Sequence, residues 1–306
     1  MISERRWHQG QRVYNSLTLS IVALLLLSCS SLPKEEEPSR RISQEAAKYT
    51  KYGNSFFALG EYDEAAQMYQ NALDGYVQID DLSEVLSLSH ALVKALIYTG
   101  RREEAQRVLD QAGEYSDDLR LPESESLDKR VLTAEHYLLR GELAYLRDDH
   151  RGAMESFDHA LTALHDSGAE ELRAVLLQSR ATVLRDLEDY DGARENLHTA
   201  IIYNTELNNR SELASNFYTL ALVEYDERNY DGALKNADRA LGLDRAEENS
   251  REIGQDLFLL GKIFDKKGET QRAIASLLRA EEIYRRLELD VPLQKVVDYR
   301  LGVEKK

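Results

Sequence analysis

Cysteine and histidine are the side chains of this chain best suited to nucleophilic, proton-transfer or metal-binding chemistry, and both are sparse. Cys29 is the only cysteine, and six histidines follow it, scattered along the chain. The two closest in sequence, His159 and His165, are six residues apart, which places them on different faces of a helix. The chain also lacks a glycine-rich phosphate loop, an H-E-x-x-H pair and a G-x-S-x-G elbow. We therefore expect no enzyme, no metal site and no cofactor.

Carboxylates are abundant. Asp and Glu total 55 against 39 Lys and Arg, so the formal net charge is −16 at pH 7. This balance argues against nucleic acid as a partner and against flat adsorption to an anionic membrane. Dense acidic groups occur in short segments between apolar-rich stretches, at Asp148, Asp149, Asp186, Glu188, Asp189 and Asp191. Because no loop has the D-x-D-x-D-G-x-x-x-x-x-E pattern of a calcium site, we interpret these residues as water-facing helix caps.

The amino-terminal residues have the pattern of a targeting segment. Three arginines, Arg5, Arg6 and Arg12, precede the apolar stretch from Leu17 to Leu27. This stretch has 11 residues, which is short for a transmembrane helix. We therefore expect it to direct export and not to be part of the fold.

The four residues Leu26-Leu27-Ser28-Cys29 resemble the bacterial lipobox. The resemblance implies that Cys29 is lipid-modified and becomes the new amino terminus, leaving no free thiol. An ordinary secretory signal with an incidental cysteine, or an uncleaved signal anchor, is the alternative. Loss of residues 1–28, which carry a charge of +2, leaves a mature chain of charge −18. Ser30 after the cysteine implies export to the outer membrane, with the membrane contacted through the lipid alone.

A polar segment rich in proline and glutamate follows the cysteine. It includes Pro33, Glu35 and Pro38 and has few large apolar residues. Such a composition is typical of a flexible tether. The sequence thus predicts a signal peptide over 1–28, a lipidated cysteine with its tether over 29–43, and a folded domain over 44–306.

Six pairs of alanines recur along the folded part of the chain, and the two alanines of each pair are seven residues apart. The pairs are Ala65 and Ala72, Ala105 and Ala112, Ala153 and Ala160, Ala193 and Ala200, Ala233 and Ala240, and Ala273 and Ala280. Two small residues on one helical face are needed where helices approach closely. Successive pairs are 40 residues apart in four intervals and 48 in the fifth. This period predicts a repeat protein.

Two further positions share the register. Twelve residues before each pair stands a mostly small residue: Gly53, Val93, Gly141, Ala181, Ala221 or Gly261. Four residues after the first alanine stands a mostly large apolar one: Tyr69, Leu109, Phe157, Leu197, Ala237 or Leu277. This pattern resembles the tetratricopeptide repeat, although the common unit has about 34 residues. The resemblance implies an all-α solenoid of about six helix-turn-helix repeats, wound as a right-handed superhelix.

The period also predicts how the solenoid departs from regularity. The six extra residues of each unit are expected to lengthen its helices, and the polar stretch from Gly113 to Ser126 is expected to form a loop between the second and third repeats. After Pro292, the amphipathic stretch from Leu293 to Leu301 is expected to cap the last repeat, with Val296, Val297 and Leu301 on one side.

The resemblance also implies that the first helix of each repeat lines a concave groove that binds partners. Its exposed positions are Thr50, Asn54, Phe57, His90, Lys94, Ile97, Leu138, Glu142, Tyr145, Gln178, Thr182, Arg185, Tyr218, Leu222, Tyr225, Phe258, Lys262 and Asp265. From this row we predict partner contacts at Asn54, Phe57, His90, Lys94, Tyr145, Arg185, Tyr218, Tyr225, Phe258 and Lys262. Aromatic anchors among isolated charges suit an extended or helical peptide.

The predicted function is a non-enzymatic scaffold or adaptor, tethered to the outer membrane and facing the periplasm, that binds proteins or peptides of an envelope assembly. The alternative is a ligand-binding accessory of a solute transport system. An enclosed pocket shared by Leu138, Tyr145, Tyr218, Leu222 and Phe258 would favour the transport role, whereas an open channel across several repeats would favour a peptide. A hydrolase would need polar residues from distant repeats to converge, which a one-dimensional stack seldom permits.

Overall fold

The computed structural model describes residues 38–118, 126–165 and 168–305, without the side chains of 115–118 and 126–128. The predicted signal peptide, Cys29 and the tether up to residue 37 lie outside these residues. The described part of the chain contains thirteen α-helices. They are α1 Pro38–Leu59, α2 Tyr62–Gln78, α3 Leu82–Tyr98, α4 Arg102–Asp118, α5 Ser126–Tyr145, α6 His150–Ala163, α7 Glu170–Asp186, α8 Tyr190–Glu206, α9 Arg210–Asp226, α10 Tyr230–Ala246, α11 Ser250–Lys266, α12 Thr270–Arg286 and α13 Asp290–Glu304.

The helices form six consecutive pairs followed by a single terminal helix. Each helix packs mainly against its neighbours in sequence, so that α1 with α2, α3 with α4, and so on to α11 with α12 make six repeats. From α3 to α11, each odd-numbered helix also contacts the next odd-numbered helix, which makes these helices the inner, concave row of the stack. The predicted all-α stack of about six helical repeats is confirmed.

The linkers between helices repeat one local structure. The helices from α7 to α12 have 17 residues each and are separated by linkers of three residues, so that two helices with their linkers give the 40-residue period. The middle linker residue adopts a left-handed conformation, as at Glu188, where φ is 62°. The next amide, of Asp189, donates to the carbonyl of Leu184 at 2.9 Å, a Schellman closure of α7. The Asp189 carboxylate then accepts from the amide of Gly192 at 3.0 Å and caps α8.

The capping interpretation of the acidic linker residues therefore holds at some positions and not at others. Asp149 accepts from the amide of Gly152 at 2.9 Å and caps α6 as expected. Asp186 does not cap a helix, because it lies in the last turn of α7 and accepts a hydrogen bond from a tyrosine of α5.

The paired alanines lie in the contacts between the helices of each repeat. All twelve have an exposed fraction of 0%. The small residue on the first helix faces the large apolar residue of the second. A Cβ atom added to Gly53 would lie 2.6 Å from Cδ1 of Tyr69, and one added to Gly261 would lie 2.6 Å from Cγ of Leu277. The alanine register and its packing are thus confirmed.

The structure corrects the predicted loop between the second and third repeats. Residues 113–118 are helical and form the last part of α4, so α4 has the same 17-residue length as other helices of the stack. A Cβ atom added to Gly113 would lie 3.4 Å from Cε1 of His136 in α5, which shows that this turn of α4 packs against the next repeat. Residues 119–125 lie outside the described residues.

The two ends of the stack also differ in detail from the predicted bounds. α1 begins at Pro38, so residues 38–43, which the sequence placed in the tether, are helical. Proline suits this position because the first helical amides have no intrahelical acceptor. At the other end, α13 covers α12 as the predicted cap, with Val296 and Val303 buried, but Leu301 is 41% exposed. No helix in the described ranges is long and apolar enough to span a membrane.

Candidate binding groove

Polar side chains join the carboxyl-terminal ends of α5, α7 and α9. The hydroxyl group of Tyr145 donates to Oδ2 of Asp186 at 2.6 Å. Arg185 lies 2.8 Å from Asp186 and 3.4 Å from Asp226 of α9. Burial opposes ionisation of Asp186, but the hydrogen bonds from Tyr145 and Arg185 outweigh it and lower the pKa of the carboxyl group. Two predicted groove residues from different repeats, Tyr145 and Arg185, are therefore brought together.

The corresponding ends of α9, α11 and α13 carry an aromatic cluster around a lysine. The ammonium group of Lys262 lies 4.8 Å from the ring centroid of Tyr225 and 6.0 Å from that of Phe258, within cation–π range. Tyr299 donates to Oδ2 of Asp265 at 3.0 Å, and its ring contacts Phe258 edge to face. Three more predicted groove residues, Tyr225, Phe258 and Lys262, thus lie together.

The predicted exposure of His90 and Leu138 is wrong. His90 is 1% exposed and Leu138 is 3% exposed. The imidazole fills the space between α3 and α5, with Nδ1 at 3.4 Å from Oε2 of Glu135, while Lys94 lies 4.0 Å from the other carboxylate oxygen. Burial opposes ionisation of Glu135, but the hydrogen bond to His90 and the charge of Lys94 lower its pKa. A partner contact at His90 stays a prediction.

The groove residues of the first repeat have partners within the protein. The hydroxyl group of Tyr69 donates to Oδ1 of Asn54 at 2.9 Å. The Phe57 ring lies 5.6 Å from that of Tyr98 in the next repeat, so it packs between repeats as well as facing the groove. Asn54, Phe57 and Lys94 line a common cavity of about 240 Å³.

A large cavity of the groove has a volume of about 940 Å³. It crosses the inner helices α1, α3 and α5 and the beginnings of α7 and α9, and its apolar wall includes Phe57, Ile97, Val131, Leu138, Leu172 and Val175. Glu142 lies in this wall. Burial raises its pKa to about 7, against the opposing charge of Lys94. The cavity is therefore an apolar channel with ionisable groups set into it.

A second cavity of about 400 Å³ adjoins the first. Tyr98 and Glu212 line both cavities, so the two meet at these side chains. The second cavity is polar, and Tyr218, Asp244 and Asp256 are among its lining residues. Tyr218, which we predicted as a partner contact, also lines a third cavity of about 290 Å³ with Phe258.

Sequence reasoning missed Asp244 and Asp256, although a signal for them exists. They lie 40 residues after Asn204 and Asn216, and 80 residues after Leu164 and Leu176. All four of these polar residues are buried. Polar residues at positions that are apolar in another repeat therefore indicate a buried polar pair.

Within the described ranges, no group of three or more His, Cys, Asp or Glu side chains is placed to hold a metal ion. The absence of a metal site and of a cofactor stays a prediction.

The chain resembles known repeat proteins in part of its sequence and in its fold. Residues 218–286 match the family model of the tetratricopeptide repeat. The apo form of RapI is similar in structure, with a TM-score of 0.63 and 15% identity over 85% of this chain and 71% of that one. Aspartyl phosphate phosphatase F from Bacillus subtilis has a TM-score of 0.59 and 15% identity over 96% and 82% of the two chains. No curated protein matches the chain.

A third similar structure is the APC/C hetero-tetramer Cut9–Hcn1, with a TM-score of 0.61 and 13% identity over 86% of this chain and 44% of that one. At such identities the likeness concerns the fold alone. The stacked helix pairs define the protein as a helical repeat protein. Its repeat unit has 40 residues, and the segment 218–286 is similar to the tetratricopeptide repeat.

The fold alone does not decide between a scaffold and an enzyme. Repeats of this type are scaffolds that present extended binding surfaces. One of the similar structures is nevertheless an aspartyl phosphate phosphatase. The absence of enzymatic activity in this chain therefore stays a prediction.

Proposed function

We propose that this protein is a non-enzymatic scaffold, anchored to the outer membrane through Cys29 and facing the periplasm, that binds a peptide segment of an envelope assembly in its concave groove. The observation that carries the proposal is the channel of about 940 Å³ along the inner helices. Its walls come from inner helices of five different repeats, and it continues past Tyr98 into the second cavity. A long channel with apolar walls suits an extended chain better than a compact ligand.

The arrangement of the predicted apolar residues supports a peptide over a small transported ligand. Leu138 and Tyr145 line the large cavity, whereas Tyr218 and Phe258 line another cavity farther along the stack. The residues that a single enclosed pocket would need are thus divided between two cavities. An extended peptide contacts both, because it follows the inner helices from one repeat to the next.

The membrane anchor is supported by the sequence pattern at Cys29. A lipidated cysteine followed by a polar tether would hold α1 near a membrane surface without any spanning helix. The negative charge of the chain agrees with attachment through lipid and not through the protein surface.

Site-specific photo-crosslinking in cells tests the groove. A photoreactive phenylalanine analogue placed at Ile97 or Val175 lies in the wall of the large cavity. Placed at Ile202 or Leu278, it lies on the even-numbered helices α8 and α12, where these side chains are 56% and 47% exposed. We expect the groove positions to form the same discrete protein adduct, and the outer positions to form none. If an adduct forms at the outer positions and none forms at the groove positions, the concave groove is not the binding surface.

Metabolic labelling with a palmitate analogue tests the anchor separately. The unmodified chain should be labelled and should fractionate with the outer membrane, whereas Cys29→Ala should be unlabelled. Label retained in the variant would reject the lipobox interpretation, and labelled protein in the inner membrane would reject the localisation.

A further inference from the structure

The second cavity of the groove contains a buried pair of carboxyl groups. Asp244, near the end of α10, is 4% exposed, and Asp256 of α11 is 1% exposed. Oδ1 of Asp244 accepts from the side-chain amide of Asn249 at 3.2 Å. Oδ2 of Asp256 has no hydrogen-bond donor within reach in the described part of the chain. The carboxyl of Asp244 interacts with that of Asp256, and it is itself an acceptor unless one of the two acids holds a proton.

The preceding repeat shows that the fold does not require acids at these positions. Asn204 and Asn216 lie 40 residues earlier, and the amide of Asn204 donates to Oδ1 of Asn216 at 2.7 Å. Asn216 in turn donates to Gln178 at 2.6 Å. One repeat earlier still, the same positions are Leu164 and Leu176, both 0% exposed. An amide pair joined by a hydrogen bond and an apolar pair therefore occupy the same helix junction in the two preceding repeats, although Oδ1 of Asn204 is also without a partner in the described part of the chain. The acid pair is thus specific to its own repeat.

The surroundings of the pair add further negative charge. Glu212 of α9 and Glu252 of α11 also line the cavity, whereas no lysine, arginine or histidine is among its lining residues in the described chain. Two aromatic rings, of Tyr98 and Tyr218, complete the wall. Carboxylates with aromatic faces are the groups that bind an ammonium or guanidinium ion.

We propose that this cavity, the acid cavity of Asp244 and Asp256, binds a lysine or arginine side chain of the peptide whose apolar residues occupy the adjoining large cavity. The inference rests on the proposed function and adds a chemical requirement to it: the partner segment carries a basic residue next to an apolar stretch. The continuity of the two cavities at Tyr98 and Glu212 places both parts of such a peptide within one groove.

The protonation of the pair supports this occupant. Burial, together with the charge of Asp244, raises the pKa of Asp256 to about 8, so the pair holds a proton at neutral pH. A cation that enters the cavity replaces this proton, because it supplies the donors that the second carboxylate lacks. Binding is therefore coupled to proton release. The charged and titratable groups around the pair are Asp244, Arg245, Arg251, Glu252, Glu212, Tyr218, Tyr284 and Tyr98.

A displayed decapeptide library, selected on the full-length chain and on its Asp256→Asn variant, tests the proposal. Asparagine keeps the shape of aspartate and reproduces the residue type of the preceding repeat. The unmodified chain should select peptides with arginine or lysine at one position beside an apolar stretch. The variant should select the apolar stretch without the basic residue. Asp238→Asn, an exposed acid on α10, is the matched control and should select the same peptides as the unmodified chain.

The outcomes separate this inference from the proposed function. If both proteins select apolar peptides without a basic position, the acid cavity does not bind a basic side chain. The proposal that the groove binds a peptide would still hold. A basic preference that persists in Asp256→Asn would also overturn the inference about the acid cavity, because attraction to the overall negative charge would then be the cause. Failure of every protein to select peptides would overturn the proposed function and the inference together.

A selected peptide then gives a quantitative check. Replacement of its basic residue by glutamine should weaken binding to the unmodified chain by about tenfold or more, and binding to Asp256→Asn by less than about twofold. Calorimetry in buffers of different ionisation enthalpy should detect proton release for the unmodified chain alone. If Asp256→Asn does not fold, Glu212→Gln with Glu252→Gln at the cavity wall gives the same comparison. Equal losses in both proteins would reject the cavity as the site.

Discussion

Tyr145 of the third repeat and Asp186 of the fourth are joined by a hydrogen bond of 2.6 Å between the phenol and the carboxylate. Both residues lie near the ends of inner helices, so the bond ties two repeats together at the surface of the groove. Burial and the bond to Asp186 raise the pKa of Tyr145 to about 12. The same bond favours the ionised form of Asp186.

Replacing Tyr145 by phenylalanine should therefore have a pH-dependent effect. Asp186 has a folded-state pKa below 3.8, so its contribution to stability is present above this value and is lost as the pH falls through the lowered pKa. At pH 7 we expect Tyr145→Phe to lower the free energy of unfolding by about 1 kcal/mol, since one hydrogen bond to a charged group is lost. Urea unfolding at pH 7 and pH 3 should show a smaller difference at pH 3. A difference that does not change with pH would exclude the bond as its cause.

The buried acid pair predicts the opposite dependence on pH. Because the folded-state pKa of Asp256 is raised from 3.8 to about 8, its contribution to stability is fully present below about pH 4 and is lost as the pH rises to 8. Asp256→Asn cannot ionise, so its stability should fall less over this interval. At pH 8 we expect it to melt about 2 to 6 °C above the unmodified chain. Parallel melting curves from pH 5 to pH 8 would show that Asp256 is already ionised in the fold.

The alanine register predicts intolerance of bulk inside each repeat. Ala193 is 0% exposed between the helices of the fourth repeat. Ala193→Leu should destabilise the chain by about 1 to 3 kcal/mol, because the added atoms force the two helices apart. His198→Leu, on the exposed face of the same helix α8, is the control. Equal melting temperatures for the two variants would contradict the packing described for α7 and α8.

Substitutions at two glycines on different helices distinguish the effect of close packing on stability from the effect of helix propensity. A Cβ atom added to Gly141 would collide with the ring of Phe157, whereas one added to Gly242 would meet no atom within 4 Å. Gly141→Ala should therefore cost about 1 to 3 kcal/mol. Gly242→Ala should stabilise by about 0.5 to 1 kcal/mol, through the lower entropy of the unfolded chain. Chemical denaturation of both variants checks the signs, and stabilisation by Gly141→Ala would contradict the contact.

The sequence predicts the stack well because small residues recur with one period along the whole chain. Alanine pairs such as Ala193 and Ala200 have a single structural requirement, close helix contact, so their spacing locates both helices. The loop predicted from Gly113 onward is wrong because a polar segment can be helical where the register continues, as Arg102–Asp118 is. In the structure, α4 continues to Asp118 because its last turns pack against the next repeat.

The groove is harder to predict because it depends on how repeats pack against one another. His90 lies at a groove position of the register, yet the adjoining α5 covers it. Asp256 lies at a core position, yet it lines a cavity. Tyr98, which lines two cavities, has no special place in the alanine register. The period of a repeat gives the helical face of a residue, whereas its exposure depends on side chains from neighbouring repeats.

Tyr98 offers the sharpest test of the groove. It is 59% exposed, lines both main cavities, and stacks on Tyr62 with ring centroids 4.5 Å apart. An exposed aromatic ring at the centre of a site is a typical binding anchor. Tyr98→Ala should weaken binding of the crosslinked partner by about 2 kcal/mol or more, while the melting temperature changes little.

Tyr218→Ala or Phe258→Ala would be less decisive, because both side chains are partly buried against the core of the last two repeats. The control for Tyr98→Ala is Ile202→Ala, which removes an exposed apolar side chain from the outer helix α8. Fluorescence anisotropy with the partner segment measures both variants beside the unmodified chain. If Ile202→Ala weakens binding and Tyr98→Ala does not, the partner binds the outer surface, and the channel between the inner helices is not its site.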